Sequence, residues 1–119
     1  MDQRQFVGLL QSVVLDGLSN EVASDWQHPP GRLRSQERSR RSDWLDKMSP
    51  EERALLEDFG ADVARAAVFG VLAILDGNRK IEETEMGHLE LRHVSDGGSE
   101  LLASSAMEMP VLPLHELLP

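Results

Sequence analysis

Histidines are the first side chains to consider for catalysis or metal binding, and the chain has four: His28, His88, His93 and His115. Zinc sites place histidines at short, fixed spacings, such as four residues apart on one helix. None of the four histidines has such a neighbour, and the chain contains no cysteine. Thiolate ligands and cysteine nucleophiles are therefore excluded. We predict no metal and no cofactor, although a three-dimensional site with Glu90 or Glu116 stays open.

Carboxylates crowd the end of a long predicted helix and the residues that follow it. They predict an acidic interaction surface made of Asp76, Glu82, Glu83, Glu85 and Glu90. The stretch Asp76-Gly77-Asn78 lacks the alternating acidic positions and the terminal glutamate of a calcium loop. A hydrolytic pair of carboxylates would need a pocket, which a sequence does not reveal. The sequence therefore favours a protein that is not an enzyme, without settling the point.

A proline-rich turn beside a tryptophan is the second candidate site. It predicts a binding loop formed by Trp26, Pro29, Pro30, Arg32 and Trp44. Aromatic rings beside proline rings could line a ligand pocket. Large aromatic side chains more often anchor a hydrophobic core, so both interpretations of the two tryptophans remain open.

The protein is acidic, with a formal net charge of -9 over 119 residues. Nucleic acid and anionic lipid would repel such a chain, whereas a basic protein would attract it. Solubility alone is the alternative explanation of the charge. Residues 32–41 differ from the rest, because five arginines and one glutamate give them a net charge of +4. Few aromatic residues are available to stack on bases, and the sequence leaves open whether this basic segment is ordered or mobile.

The length of the chain fits one domain, residues 1–119. The N-terminus lacks the cationic and apolar regions of a signal peptide, so we expect a cytoplasmic protein. The longest nearly unbroken apolar run, residues 66–75, is shorter than the roughly 20 residues needed to span a bilayer.

Apolar spacing predicts a first helix over residues 2–25, with Trp26 at the end of its apolar stripe. The prolines at 29 and 30 must end that helix, which gives a loop over residues 27–32. A shorter helix is predicted over residues 35–47, with either Ser35 or Ser42 as its N-cap.

The sequence Ser49-Pro50-Glu51-Glu52 is the strongest local signal in the chain. A serine cap, a proline at the first helical position and early glutamates are typical of a helix start. The helix runs to Leu75, where Asp76-Gly77 provides a left-handed stop. Gly60 and Ala64 share one face of it, so we expect the first helix to approach closely there.

Residues 88–94 alternate in polarity, and Ser95-Asp96-Gly97-Gly98 is a strong turn signal. They predict a C-terminal hairpin whose second strand covers residues 99–103. The proline- and leucine-rich tail, residues 107–119, is expected to pack on the domain and to form one helical turn over 114–118. The predicted fold class is α+β and helix-dominated, with two long packed helices, a shorter helix and the hairpin.

Several pieces of the chain together resemble a family of small bacterial proteins of uncharacterised activity. The pieces are Trp26 with Pro29-Pro30-Gly31-Arg32; Ser42-Asp43-Trp44-Leu45 before Ser49-Pro50-Glu51-Glu52; Val68-Phe69-Gly70 before Leu75-Asp76-Gly77; Leu89-Glu90-Leu91; and Leu114-His115-Glu116-Leu117-Leu118. The resemblance covers most of the chain and brings no catalytic residues with it. It implies that the tail belongs to the domain.

Charge, size and the lack of a catalytic motif favour a non-catalytic binding protein. The leading hypothesis is an acidic protein of the bacterial immunity or antitoxin type, which masks a basic protein partner. The alternatives are a small-molecule-binding protein or an enzyme of unknown reaction, and a structural homodimer. No nucleic acid and no membrane is expected among its partners.

Overall fold

The computed structural model describes residues 1–29, 31, 35–79, 87–106 and 112–119. In chain order its elements are α1 (Gln3–Leu9), a π-helical segment (Leu10–Leu15), α2 (Leu18–Gln27), α3 (Gln36–Asp46), α4 (Pro50–Leu75), β1 (Glu90–Ser95), β2 (Gly98–Ser104) and α5 (Leu114–Leu117). The predicted α+β, helix-dominated fold with a C-terminal hairpin is confirmed. None of the helices in the described ranges combines the length and apolarity needed to cross a membrane.

The described residues fall into two compact units. The helical unit is Leu15–Arg65, and the terminal unit combines Met1–Val14 with Ala66–Pro119. Helix α4 contributes its first part to the helical unit and its last part to the terminal unit. The prediction of a single domain over 1–119 stays a prediction.

The first predicted helix is divided into three parts in the structure. A capping box starts α1, in which Asp2 accepts from the Gln5 backbone N–H at 2.8 Å and Gln5 accepts from the Asp2 N–H at 2.8 Å. The π-helical segment follows, and Gly17 then adopts a φ of 77°. An α-helix cannot continue through that left-handed conformation, so the chain begins a new helix at Leu18.

Serine side chains start the next two helices. Ser35 accepts from the Arg38 backbone N–H at 3.2 Å, which identifies it as the N-cap of α3. Ser49 accepts from the Glu52 N–H at 3.1 Å, while the Glu52 carboxylate accepts from the Ser49 N–H at 3.0 Å. The hydrogen bond from the Ser49 backbone N–H to the carboxylate, followed by the Ser49 side chain, holds the pKa of Glu52 below its ordinary value of 4.5. The two hydrogen bonds form a capping box. They stabilise the start of α4 at the point that the sequence predicts.

The terminal unit pairs β1 with β2 in an antiparallel hairpin. Leu91 and His93 are half-buried while Glu90, Arg92 and Val94 are exposed, which confirms the predicted alternation. The buried apolar residues of the unit are Val7, Leu72, Ala73, Leu102, Ala103, Leu114 and Leu118. The last two lie in the described end of the tail, residues 112–119, which is therefore held in the core of the terminal unit.

One glutamine side chain holds the tail at Leu112. The Gln3 amide nitrogen donates to the Leu102 carbonyl at 2.8 Å and to the Leu112 carbonyl at 2.5 Å, while its oxygen accepts from the Leu112 N–H at 3.1 Å. The side-chain amide thus forms the hydrogen bonds to these backbone groups that a neighbouring strand would otherwise form.

We expect Ser49→Ala to lower the free energy of unfolding by about 1 kcal/mol, because the first turn of α4 loses its side-chain acceptor. Chemical denaturation followed by circular dichroism measures this change. Ser24→Ala is the matched control, since Ser24 is exposed in the middle of α2. Equal effects of the two substitutions would contradict a capping role for Ser49.

Candidate functional site

An apolar groove of about 320 Å³ opens on the helical unit. Its main lining side chains come from α2, α3 and α4, and they are Leu18, Val22, Trp26, Trp44, Phe59 and Val63. Two faces of helical periodicity produce this lining, since the α2 residues are four apart and the α4 residues are four apart. We refer to it below as the groove.

The two helices that form the groove touch at a pair of small residues. A Cβ added at Gly60 of α4 would collide with the Ser19 side chain of α2. The Ser19 hydroxyl also donates to the Glu57 backbone carbonyl at 2.7 Å. The close approach predicted at Gly60 is therefore present, and a side chain at this position would force the Ser19 hydroxyl to move.

Two tryptophans stand together at one end of the groove. The ring centroids of Trp26 and Trp44 are 6.5 Å apart, with their planes inclined by 56°. The Arg41 guanidinium lies 4.7 Å from the centroid of a Trp26 ring, in cation–π geometry. Ser42 and Gln27 join α3 to α2 beneath them, through a hydrogen bond of 2.8 Å from the Ser42 hydroxyl to the Gln27 carbonyl.

Much of the apolar surface here faces solvent. Phe59 is 67% exposed and Leu55, one turn before it on α4, is 69% exposed. Among the described residues of the helical unit, Leu45 is the sole buried apolar side chain, at 2%. A contiguous exposed apolar patch of this kind is typical of a binding surface.

The helices on either side of the groove are acidic. Residues 18–27 and 50–65 together contain seven aspartates and glutamates against two arginines. One of the arginines, Arg53, lies 3.9 Å from Asp46 and donates to the Leu45 carbonyl. Glu57 is the acidic residue that lines the groove itself. Within the described part of the chain, no ion pair involves the other α2 and α4 carboxylates Glu21, Asp25, Asp58 or Asp62. The groove is thus apolar at its centre, with carboxylates along α2 and α4 and the Arg41 guanidinium at its Trp26 end.

Two residues of the predicted binding loop, Trp26 and Trp44, line the groove. Trp26 and Trp44, which are 18 residues apart in sequence, are brought together. Pro29 is half-buried, and Pro30 and Arg32 lie outside the described residues. The two tryptophans are only partly covered, with Trp44 47% exposed, so they serve as groove walls and not as fully buried core anchors.

The predicted acidic interaction surface needs a correction at Asp76. This residue is 5% exposed, and its Oδ2 accepts from the His115 backbone N–H at 2.8 Å and lies 2.7 Å from the His115 Nδ1. Asp76 therefore fixes α5 within the terminal unit and offers no charge to a partner. Glu82, Glu83 and Glu85 lie outside the described residues.

Glu90 is the remaining member of that predicted surface, and it lies exposed on β1. It accepts from Arg92 at 2.8 Å and contacts His88 at 3.1 Å. The Arg92 hydrogen bond, followed by the His88 contact, lowers the pKa of Glu90 below 4.5. The charge of Glu90 is thus partly neutralised by its neighbours.

The remaining histidines do not form a site in the described ranges. His93 lies 3.4 Å from the N-terminal amine, and the His115 ring meets Phe69 edge-on with centroids 5.3 Å apart. No three histidine, aspartate or glutamate side chains converge there in a way that could hold a metal ion.

Comparison with protein-family models, with curated proteins and with solved structures gives no match for this chain. The groove therefore has to be interpreted from its own geometry and charge.

Sequence reasoning did not identify Phe59 and Val63 as site residues, although their helical spacing is visible. The same spacing predicts a buried helix face, and only the structure reveals that this face is left uncovered. The acidic residues beside it are equally visible in sequence, but their position along a groove depends on how α2 meets α4.

We expect Asp76→Ala to lower the free energy of unfolding by about 1–3 kcal/mol, because the part-buried His115 N–H loses its acceptor. Asp43→Ala, at an exposed position of α3, should change it by no more than about 0.5 kcal/mol. Chemical denaturation of both variants checks the difference. A value for Asp76→Ala no larger than that of the control would contradict the structural role.

The contact between α2 and α4 predicts an interaction between two substitutions. Gly60→Ala gains helix propensity but collides with Ser19, whereas Gly8→Ala in α1 gains propensity in open space. We expect Gly60→Ala to be the less stable of the two, and Ser19→Ala to recover part of the loss. Denaturation of the single and double variants gives the coupling energy, and a coupling near zero would exclude this contact.

Proposed function

We propose that this protein is a non-catalytic binding protein that masks a basic protein partner, in the manner of immunity and antitoxin proteins. The observation that carries the proposal is the exposed apolar groove between acidic helices. Apolar anchors at the centre of a binding surface provide most of its affinity, while charges at the rim guide association and select the partner.

The apolar part of the proposal rests on what the helical unit leaves uncovered. Phe59, Val63 and Leu55 expose more than half of their surface, although they lie on one continuous helix face. Covering apolar surface is favourable by about 25 cal/mol for each Å² removed from water. A protein partner that fills the groove would gain this free energy, and the helical unit would gain the cover that it lacks.

The electrostatic part of the proposal rests on the negative charges that α2 and α4 carry beside the groove. Glu21 and Asp25 lie on α2, and Asp58 and Asp62 lie on α4, with no cation paired to any of them in the described residues. Lysine and arginine residues of a partner would be attracted to both sides. Such attraction raises the rate of association and weakens as salt is added.

A catalytic role for the groove has less support from its lining. Ser19 and Glu57 are its polar residues among the described ones, and the Ser19 hydroxyl is engaged with the Glu57 backbone carbonyl. Ligand and active sites generally bring several polar groups together within an apolar pocket. An enzyme or small-molecule-binding protein therefore remains the less favoured alternative.

A structural homodimer is also less favoured, for an electrostatic reason. Two copies joined through their grooves would place acidic sides against acidic sides, which is unfavourable at low salt. Helix α3, which carries Arg38, Arg40 and Arg41, has Trp44 as its one exposed apolar residue to offer to the groove of a second copy, since Leu45 is buried.

We propose the cytoplasm as the location of the complex, because a chain without cysteine needs no oxidising compartment.

Affinity capture from the native lysate tests the proposal when wild type and groove variants are compared. We expect wild type to capture a basic protein in stoichiometric amount, and a variant with Phe59→Ser and Val63→Ser to lose it. Val71→Ser, at a site on α4 that is 58% exposed and outside the groove, is the control and should retain the partner. Mass spectrometry identifies the protein that is retained or lost.

The charge of the groove is tested in the same experiment. Asp58→Asn with Asp62→Asn should weaken capture at low salt and should matter less at high salt. Glu100→Gln with Glu116→Gln removes the same charge from the terminal unit and should leave capture unchanged. If neither groove variant captures less partner than wild type does, the proposed function is refuted.

A further inference from the structure

We infer that the part of the partner that enters the groove is a short amphipathic α-helix with lysine or arginine along both edges of its apolar stripe. This inference rests on the proposed function and specifies the form of its ligand. Three properties of the groove support it: the chemistry of its walls, its length and the position of its acidic residues.

The walls of the groove cannot pair with an extended chain. They consist of α2 and α4, whose backbone N–H and C=O groups bond within their own helices, and of side chains that are almost entirely apolar. An extended segment would place unpaired backbone groups against this surface, at a cost of roughly 1–3 kcal/mol for each group. A helix satisfies its own backbone, so it can cover the groove without that cost.

The length of the groove matches two to three helical turns. From Leu18 to Trp26, α2 rises by about 12 Å, at 1.5 Å for each residue. Apolar side chains at positions i, i+4 and i+7 of a bound helix span about 10 Å and would lie on one face of it. Three anchors at that spacing would therefore reach from the Leu18 end to the Trp26 end.

Acidic residues follow both long sides of the groove. On α2, Glu21 and Asp25 stand three residues after Leu18 and Val22. On α4, Asp62 stands three residues after Phe59.

Residues three apart on a helix are surface neighbours, so each apolar side has carboxylates beside it. A helix lying between these sides would meet negative charge at both of its edges. Cations are therefore expected on both edges of its apolar stripe.

Three labelled peptides of about 18 residues, with identical length, test this inference against the full-length protein by fluorescence anisotropy. The first has leucines at helical spacing and lysines on both edges. The second has the same composition rearranged to strand-like alternation. The third keeps the helical spacing and replaces every lysine with glutamate.

The first peptide should bind at least about tenfold more tightly than either of the others at low salt. The variant with Phe59→Ser and Val63→Ser should lose at least about tenfold in affinity for it, whereas Val71→Ser should lose none. Circular dichroism of the complex should show additional helix, because the peptide folds as it binds.

Equal binding of the first and second peptides through the groove would overturn the helical form of the ligand. The proposed function would then still stand, since a basic segment would have been bound. Equal binding of the first and third peptides would overturn the role of the acidic sides.

Failure of the first peptide to bind would overturn the inference, while the lysate capture would still report separately on the proposed function. Light scattering of the free protein tests whether a second copy of the chain occupies the groove. A dimer that Phe59→Ser with Val63→Ser converts to monomer would assign the groove to a second copy and overturn the inference.

Discussion

The helical unit leaves its apolar surface uncovered, and the open groove is the result. Three helices of 10, 11 and about 16 residues cannot enclose a core of their own, and Leu45 is their one buried apolar side chain among the described residues. Side chains that would form a core in a larger assembly instead line an open groove. The exposed surface is therefore a direct consequence of the size of the unit.

The first part of α4 presents two different sets of residues. Small residues, with Gly60 at the centre, allow α2 to approach until Ser19 contacts the helix backbone. Large residues on the adjoining face, above all Phe59, remain exposed to solvent. Carboxylates beside that face make the electrostatic charge of this surface negative. Because the same helix determines packing, exposure and charge, a change at Gly60 would also alter the proposed binding surface, although Gly60 itself lies at the helix contact.

Local signals in the sequence predict local structure well. The Ser49 and Glu52 hydrogen bonds, the left-handed Gly77 and the hairpin turn depend on residues within a few positions of one another, so sequence alone predicts them. The division of the first helix was missed, because helical spacing continues across Gly17 although the backbone does not.

The candidate site could be predicted only in part. Trp26 and Trp44 were identified by residue type, but the apolar face of Phe59 is the same pattern that a buried helix shows. Asp76 is the opposite case, because a carboxylate in an acidic stretch suggests exposure whereas this one is buried. Its burial depends on His115, which is distant in sequence. Exposure and burial depend on tertiary contacts, which spacing in one sequence does not specify.

Tryptophan emission tests the central claim most directly, because the chain has two tryptophans and no tyrosine, and both tryptophans line the groove. The protein is titrated with a tryptophan-free basic amphipathic helix, or with the captured partner after its own tryptophans have been replaced. We expect a saturable blue shift of the emission that disappears at high salt, because the indole rings lose water when the groove fills. Saturable binding with unchanged emission would show that the ligand binds elsewhere, and it would contradict the account.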